Sequence, residues 1–318
     1  MTKKRCAVLG ATGSVGQRFT LLLEDHPQLE LIALGASARS AGKPYKDVVT
    51  WKQTSPIPSN SAGIVVRECK AKHFEDLDLD LVFSALDSSV AGQRKRFPRL
   101  QLQLRRRRCR LPIVALQAEF GRVSDVEVFT EQALSGAGYP GVSTMDIVDN
   151  VIPYISGEED KLEPEARKIL GSLATVNDDD GDLTVKEHDT LNLDATCTRV
   201  GVSDGHMVYV SLRFERRPPP SAEQVKAALR NYTSEVQRLG CPSAPRRAIV
   251  VFEEADRPQP RLDRDLEGGF AVSVGRIRAG REDGHFDLRF VALSHNTTVG
   301  AAGSSILNAE AAIQKGLL

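Results

Sequence analysis

The chain has 318 residues, of which 41% are hydrophobic and 26% charged, values typical of a soluble globular protein with room for two domains. Its 42 basic and 42 acidic residues cancel, and no apolar run approaches the length of a membrane span. The five cysteines show neither metal-finger nor redox spacing, and the first residues, MTKKRCAVLGATG, lack the long apolar core typical of a secretory signal. We therefore expect a cytoplasmic protein with no membrane or nucleic-acid partner.

The first element is a short apolar run, CAVLG, which leads directly into the glycine-rich stretch GATGSVG. The run predicts a buried parallel strand, and Gly10, Gly13 and Gly16 follow it at the spacing G-x-x-G-x-x-G. Apolar residues at helical spacing come next, in QRFTLLLEDH. This order predicts a nucleotide site, because a helix N-terminus offers unpaired N–H groups to a pyrophosphate and glycines let the backbone approach.

The second strand, LELIALGAS, ends where the ribose of a bound dinucleotide is expected. A ribose 2′-hydroxyl calls for Asp or Glu there, but this chain has Ser37, Arg39 and Ser40, with Lys43 just beyond. Hydroxyls and a guanidinium suit a 2′-phosphate, so the sequence predicts NADP rather than NAD as the cofactor. The alternative is that Arg39 is only a solvated loop residue.

A further strand, LDLVFSAL, ends near Ser84, at the edge of the sheet where cofactors bind. A basic block follows over residues 94–110, where nine of the residues are Lys or Arg, and no acid occurs from Ser88 to Ala118. Such a block is typical of a patch that binds nucleic acid or an acidic partner. It has one aromatic residue and no fold signature, however, and its composition favours a stretch read out of frame or across a mistaken splice junction.

The second half of the chain mixes helices and strands. EEDKLEPEARKILG predicts a helix, TCTRVGVSDGHMVYVSLRF strands around a turn, and FAVSVGRIRAGREDGHFDLRFVAL a hairpin. Ser221 is a predicted helix N-cap, and the Ala-rich C-terminal helix is expected to return to the first domain. The acidic run DDDGD at 178–182 lacks the ligand spacing of a calcium loop, so we expect no metal site.

These patterns predict an α/β protein: a Rossmann-like NADP-binding domain with an inserted mixed α+β domain. The predicted boundaries are 1–112 plus 297–318 for the first domain, shortened around 93–112, and 113–296 for the second.

Seven ordered motifs resemble the fungal and archaeal branch of the aspartate-semialdehyde dehydrogenases over nearly the whole chain except residues 93–112. The motifs are GATGSVGQRF, SARSAGK, FSALDSSVAG, QALSGAGYPGVSTMDIVDN, GEEDKLEPEARKILG, CTRVGVSDGHMVYVS and HNTTVGAAGSSILNAE. The resemblance implies NADPH-dependent reductive dephosphorylation of aspartyl phosphate to aspartate semialdehyde, a step towards lysine, threonine and methionine. In that family a cysteine thiolate attacks the acyl phosphate and expels phosphate, and hydride from NADPH then reduces the resulting thioester and releases the aldehyde.

The resemblance also implies roles for individual residues. His206 corresponds to the acid/base histidine, Gln132 to the glutamine beside the nucleophile, and Arg199 to the arginine that grips the substrate α-carboxylate. Glu158 and Lys161 correspond to the contacts with the substrate ammonium and phosphate; Glu158 is chosen over Glu159 on spacing alone. Ten residues are expected to contact the cofactor: Gly10, Thr12, Gly13, Ser14, Val15, Ser37, Arg39, Ser40, Ser84 and Asn296.

Judged without the resemblance, a histidine in the position of His206 is more often an ordinary turn residue, and an arginine in the position of Arg199 is more often a surface residue of a strand. An E-x-x-K pair on a helix is usually only a surface ion pair. The resemblance also implies that the inserted mixed α+β domain is the catalytic and dimerisation domain, that the substrate is a small molecule, and that the chain forms a homodimer or homotetramer.

The family's nucleophile lies in an N-P-N-C-S-T motif at a helix start, and this chain has no such motif. Gap-free alignment of IVALQAEFGRVSDV places the cysteine position on Leu104, so Cys109 lies five residues too late. Neighbouring arginines favour a thiolate at Cys109, but a nucleophile must also be correctly aimed. The chain is therefore expected to be inactive as written and to bind NADP weakly or not at all. The alternative is a non-catalytic structural or oligomerisation partner of the same fold.

Overall fold

The computed structural model describes residues 2–86, 111–175 and 183–318. The chain divides into two compact units. The first unit comprises Met1–Leu104, Glu235–Ala244 and Thr297–Leu318, and the second comprises Arg105–Ser234 and Pro245–Asn296. The basic block and its Cys109, together with the acidic run at 178–182, fall outside the described residues.

Twelve strands are present in the described ranges: β1 Lys4–Leu9, β2 Leu29–Ala36, β3 Arg67–Glu68, β4 Leu81–Ser84, β5 Val123–Gln132, β6 Ser172–Thr175, β7 Leu183–Lys186, β8 Asn192–Arg199, β9 His206–Phe214, β10 Ile249–Val251, β11 Val272–Ala279 and β12 Leu288–Ser294. The α-helices of the same ranges are α1 Ser14–Leu22, α2 Tyr45–Val48, α3 Ser59–Ala62, α4 Leu111–Phe120, α5 Thr144–Ile147, α6 Glu159–Ile169, α7 Ala222–Asn231, α8 Glu235–Arg238, α9 Pro260–Asp263 and α10 Gly303–Gln314.

The first unit contains a parallel sheet whose described strands run in the order β3-β2-β1-β4. The central strand β1 is buried along most of its length, which explains its nearly continuous apolar sequence. Helix α1 packs against this sheet through Phe19, and α10 contributes Ile306 and Ala309 to the same core. The return of the C-terminal helix to the first unit is confirmed, as is the strand–turn–helix–strand order of the first forty residues.

A buried carboxylate fixes the segment Glu235–Ala244 within the first unit. Glu310 on α10 is fully buried and accepts hydrogen bonds from the backbone N–H and the hydroxyl of Ser243 and contacts His26 Nε2 at 2.7 Å. The backbone N–H of Leu29 donates to His26 Nδ1, so the imidazole carries its proton on Nε2 and donates it to Glu310. Three separate parts of the chain are therefore joined at one satisfied polar cluster.

The second unit contains a mixed sheet whose described strands run in the order β10-β11-β12-β9-β5-β8. One face of this sheet carries a large apolar core, to which α4 and α7 contribute Leu116 and Leu229. The opposite face exposes Phe129 and Tyr209, whose rings form an edge-to-face pair with centroids 5.9 Å apart. An alternation of buried and exposed residues is expected for strands with one solvated face.

Local predictions for the second unit are largely confirmed. Strands β11 and β12 form the expected antiparallel hairpin, and Ser221 caps α7 in a capping box with Gln224. The expected turn joins strand β8, which ends with Arg199, to strand β9, which begins with His206, so this strand–turn–strand prediction is confirmed. In the sheet, β5 lies between β8 and β9 and pairs parallel with β8.

Within the described residues, no helix is both long and apolar enough to cross a bilayer. The same ranges contain no group of three or more His, Cys, Asp and Glu side chains arranged to hold a metal ion.

Candidate active site

Three strand ends of the second unit bring the predicted catalytic and carboxylate-binding residues together. Gln132 is the last residue of β5 and is the register partner of Arg199, the last residue of β8. His206 is the first residue of β9, whose Val208 pairs with Thr130 of β5. Because β5 and β8 run parallel and β9 runs antiparallel to them, all three side chains lie at one edge of the sheet. All three are buried, with exposed fractions between 2% and 6%.

The imidazole of His206 is held by a backbone group. The N–H of Ala133 donates to His206 Nδ1 at 3.0 Å. In the neutral ring the proton is then on Nε2, since a nitrogen that accepts a hydrogen bond carries its lone pair. In the neutral ring, His206 Nε2 is therefore a hydrogen-bond donor.

The guanidinium of Arg199 is anchored by the same residue. Its Nη1 donates to the carbonyl oxygen of Ala133 at 2.8 Å. Burial lowers the pKa of Arg199 from its ordinary value, and the negative charge of Glu158 opposes that shift. An arginine remains charged under all ordinary conditions, so Arg199 is a buried planar cation with five N–H donors, which suits a carboxylate.

Glu158 and Lys161 lie at the start of α6, where Glu158 Oε1 and Lys161 Nζ are 3.8 Å apart. Glu158, Gln132 and His206 are among the residues that line a cavity of about 70 Å³, whose remaining walls are largely apolar. The neighbouring Glu159 has another use, since its Oε1 accepts the backbone N–H of Cys197 on β8 at 2.9 Å. The two adjacent glutamates therefore face different surroundings.

The glycine turn of the first unit has the geometry of an anion site. Gly10 has φ +75°, and a Cβ on Gly16 would lie 2.2 Å from the carbonyl oxygen of Gly10. Helix α1 starts after Gly13 with no side-chain cap and no acidic residue in its first turn. The N–H groups at the start of α1 are thus not used by a capping side chain, and the glycines of the turn have no side chains that would block a ligand. Both features fit a dinucleotide pyrophosphate.

The other predicted cofactor residues divide between the two units. Ser37 and Arg39 are exposed directly after β2, Ser40 is half-buried, and Ser84 ends β4 in the same sheet. Thr12, Ser14 and Val15 are half-buried around the glycine turn. Asn296 belongs to the second unit, where it is 3% exposed.

Two residues that brace the glycine turn were not found from the sequence. Tyr45 is fully buried and donates from its hydroxyl to the carbonyl oxygen of Ala11 at 2.8 Å, and burial raises its pKa to about 12. Gln17 is 2% exposed, and its Nε2 donates to the carbonyl oxygens of Thr12 and Thr50. Gln17 falls inside the helix pattern, but nothing in a local pattern signals a contact thirty residues away.

A third missed position is Gly136, in the turn after β5. A Cβ at this residue would lie 2.7 Å from Arg199 Nη1 and 3.1 Å from His206 Nε2. The spacing SGAG marks a turn, but only the structure shows which side chains occupy the space that glycine leaves.

Four cysteines lie in the described ranges, and each carries a thiol in a setting that disfavours the thiolate. Burial raises the pKa of Cys6, Cys69 and Cys197, and it raises that of Cys241 to about 11. Cys197 shares a sheet face with Arg199, two residues before it, and is fully buried. A nucleophilic cysteine needs the opposite: its thiol must be accessible to the substrate and must have a lowered pKa.

Two family models match the chain. The "Semialdehyde dehydrogenase, NAD binding domain" matches residues 5–97, and the "Semialdehyde dehydrogenase, dimerisation domain" matches residues 113–299. Neither covers the fifteen residues 98–112, which include most of the arginines of the basic block.

Curated relatives extend over the whole chain. An aspartate-semialdehyde dehydrogenase from Aspergillus fumigatus is 55% identical over 368 positions, covering 99% of both chains, and one from Saccharomyces cerevisiae is 43% identical over 370 positions at the same coverage. Since this chain has 318 residues, 368 less 318 leaves at least 50 positions of the first alignment with no residue here.

Among solved structures, the aspartate-semialdehyde dehydrogenase of Candida albicans, described as with NADP, superposes with a TM-score of 0.86 at 42% identity and full coverage of both chains. An enzyme of the same name from Vibrio cholerae has a TM-score of 0.71 at 19% identity, which shows a common fold. With its glycine turn, its three converging strand ends and these matches, the chain belongs to the aspartate-semialdehyde dehydrogenase family.

Proposed function

We propose that this chain holds the substrate- and cofactor-binding scaffold for the NADPH-dependent conversion of aspartyl phosphate to aspartate semialdehyde, but is inactive as written. The observation that carries the proposal is the meeting of Gln132, Arg199 and His206 at one sheet edge while no described cysteine suits nucleophilic attack. A scaffold for gripping an aspartyl group is thus combined with the loss of the group that becomes acylated.

Each side chain suits one part of the substrate. Arg199 binds the α-carboxylate, because a planar guanidinium forms two parallel hydrogen bonds to a carboxylate. His206 donates a hydrogen bond to the oxygen of the reacting carbonyl, and Gln132 stands beside it as a neutral donor and acceptor. Glu158 attracts the substrate ammonium, and Lys161 attracts the phosphate.

The cofactor of this scaffold is NADP. The first unit would bind its adenosine and pyrophosphate parts, although we expect the chain as written to bind the whole cofactor weakly or not at all. Gly10, Thr12, Gly13, Ser14 and Val15 would hold the pyrophosphate through backbone N–H groups at the start of α1. Ser37, Arg39 and Ser40 would bind the 2′-phosphate, and Ser84 would lie on the nicotinamide side. Asn296 belongs to the second unit and stays a predicted cofactor contact of that unit. When bound, NADPH supplies hydride. The relative from Candida albicans, whose structure is described as with NADP, supports this assignment.

A chimera offers the sharpest test of the scaffold. Residues 93–110 would be replaced by the corresponding segment of the Aspergillus fumigatus relative, which restores the missing positions. Both proteins would be mixed with aspartate semialdehyde, phosphate and NADP, and the absorbance of NADPH followed. We expect no turnover from the original chain and turnover from the chimera, since the other functional groups are already in place.

Turnover by the original chain would overturn the proposed inactivity, and its loss in a Cys109→Ser variant would identify Cys109 as the nucleophile. A folded chimera that remains inactive would contradict the scaffold proposal. Translation of the underlying DNA around codons 93–112 in the other frames tests the misreading hypothesis, which is wrong if no stretch like N-P-N-C-S is found there.

The competing proposal is a non-catalytic partner that assembles through the second unit, with the predicted domain 113–296 as its interface-bearing part. The exposed pair Phe129 and Tyr209 on the open sheet face supports this, as does the dimerisation description of the matching model. The occupant of this face would be a second copy of the chain, giving a homodimer or homotetramer in the cytoplasm.

Light scattering after size exclusion tests the assembly. Tyr209→Asp should convert the oligomer to a monomer, because it places a charge in the apolar face. Leu262→Asp, at an exposed apolar residue on α9, serves as the matched control and should leave the mass unchanged. An oligomer that survives Tyr209→Asp would exclude this face as the interface.

A further inference from the structure

Residue Ala133 uses both of its backbone groups on the functional side chains. Its N–H donates to His206 Nδ1 at 3.0 Å, and its carbonyl oxygen accepts from Arg199 Nη1 at 2.8 Å. The position of one peptide segment therefore sets the orientation of an imidazole and a guanidinium that come from two different strands. Because all the groups are buried, a displacement of this segment leaves hydrogen-bonding groups without partners, which is unfavourable.

The turn that carries Ala133 is paired with the turn that precedes His206. The N–H of Leu134 donates to the carbonyl oxygen of Val202 at 2.7 Å, and that of Ser135 to Ser203 at 3.1 Å. These backbone bonds continue the contact between the ends of β5 and β8 past the strands themselves.

Asn296, from a third segment of the chain, forms hydrogen bonds to both turns. Its Oδ1 accepts the backbone N–H of Gly205 at 2.9 Å, and its Nδ2 donates to Ser135 Oγ at 2.8 Å. A side-chain amide is suited to this position because it offers one acceptor and one donor on neighbouring atoms. Asn296 therefore joins the residue directly before His206 to the turn that orients the His206 ring.

We propose that Asn296 and Ser135 are positioning residues, which hold the Ala133 N–H against His206 Nδ1 and so keep the imidazole in its Nε2–H form. The proposal rests on the proposed function, in which His206 serves the reacting carbonyl. It deepens that function, since a ring fixed with its proton on Nε2 meets the substrate as a hydrogen-bond donor. It also gives Asn296 a task inside the second unit that is separate from the predicted cofactor contact.

The state of the ring can be measured without substrate or turnover. Protein labelled with ¹⁵N-histidine would be studied by long-range ¹H–¹⁵N correlation, above the pH at which the imidazole is protonated. The chain has six histidines, and the signals that vanish in His206→Gln identify the relevant ring. We expect the pattern of a single tautomer, with a proton on Nε2 and a bare Nδ1. A ring with its proton on Nδ1 would overturn the proposal.

Two variants test the positioning residues. Asn296→Leu removes both hydrogen bonds at nearly constant size, and Ser135→Ala removes one. We expect the His206 signals to move towards the tautomer mixture of a solvated imidazole, and the Ala133 amide to exchange with solvent about tenfold faster. The effect of Ser135→Ala should be smaller. If Asn296→Leu does not fold, Ser135→Ala alone decides.

Asn296→Asp is the rescue variant. Its carboxylate accepts from Gly205, and the hydroxyl of Ser135 can turn to donate to it, so the single-tautomer pattern should be retained. A folded Asn296→Leu or Ser135→Ala protein with unchanged His206 signals and unchanged Ala133 exchange would refute the positioning role. An inactive chimera would instead refute the proposed function and leave the ring measurement intact, so the two failures are distinguishable.

Discussion

Gln132 and Arg199 are direct register partners at the ends of two neighbouring parallel strands, although they lie far apart in the chain. Because parallel strands end at the same edge of a sheet, this pairing brings a neutral amide and a buried cation side by side. His206 joins them from an antiparallel strand that begins at that edge. The candidate site is therefore a product of strand pairing, and it is sensitive to changes in the turns beyond the strand ends.

Gly136→Ala is expected to weaken binding of a carboxylate ligand without straining the backbone. The new Cβ would lie 2.7 Å from Arg199 Nη1, closer than real Cβ contacts, so the guanidinium must move. We expect binding of L-aspartate, a probe for the carboxylate site, to weaken about tenfold or more, as measured by calorimetry.

Gly63→Ala is the control for Gly136→Ala. No atom lies within 4 Å of a Cβ at Gly63, so it should bind the probe as the original chain does. Equal binding by the Gly136→Ala variant would show that Arg199 does not hold the carboxylate.

The glycines of the nucleotide turn are expected to respond differently to alanine. In Gly16→Ala the Cβ would meet the Gly10 carbonyl oxygen at 2.2 Å, so we expect a loss of about 1–3 kcal/mol in the free energy of unfolding. In Gly13→Ala the nearest atom is at 3.5 Å and φ is −80°, which alanine adopts without strain. That variant should keep its stability.

Ligand binding separates the role of Gly13 from its packing. We expect Gly13→Ala to weaken binding of 2′-phospho-ADP-ribose, which carries the pyrophosphate but no nicotinamide, because the methyl group would stand in the path of the phosphates. Denaturant unfolding and calorimetry measure the two effects. Unchanged affinity in Gly13→Ala would remove Gly13 from the cofactor contacts.

Arg39 is expected to select the 2′-phosphate. Arg39→Ala should weaken binding of 2′,5′-ADP about tenfold or more, since a charge-assisted hydrogen bond contributes about 1.5–3 kcal/mol. Binding of 5′-AMP, which lacks the 2′-phosphate, should not change. Fluorescence titration of both nucleotides tests this, and an equal loss for the two would mean that Arg39 only supports the loop.

The buried thiol of Cys241 predicts a loss of stability at alkaline pH. Burial, with the charges of Glu310 and Glu235, raises its pKa to about 11 in the folded chain. In the unfolded chain the pKa of a cysteine is about 8.5. Because the folded value is higher, the contribution of the thiol is fully present below about pH 8.5 and is lost as the pH rises towards the folded pKa.

Urea unfolding between pH 8 and pH 11 measures this contribution, with Cys241→Ala as the comparison. The free energy of unfolding of the original chain should fall more steeply with pH than that of the variant, by up to about 1.4 kcal/mol per pH unit. Parallel curves for the two proteins would contradict the prediction.

The nucleotide-binding half could be predicted from the sequence because its signals are local. The spacing of Gly10, Gly13 and Gly16, an apolar strand before them and a helical period after them fall within about thirty residues. Likewise, the turn residues between β11 and β12 predict a hairpin, because these two strands are close neighbours in the sequence.

The residue types of the site followed from the ordered motifs, but their arrangement did not. The turn between Arg199 and His206 favours a hairpin, whereas β5 separates their strands in the sheet. Strand order depends on which apolar faces pack together, and a local pattern holds no information about it.

Sequence alone determined that this chain has a glycine turn, an arginine and a histidine within family motifs, and no family cysteine motif. Only the tertiary structure decided that one backbone residue, Ala133, orients both His206 and Arg199, and that Gly136 must lack a side chain beside them. The physical reason is that residue identity limits which bonds a group can form, while long-range strand pairing determines which groups meet.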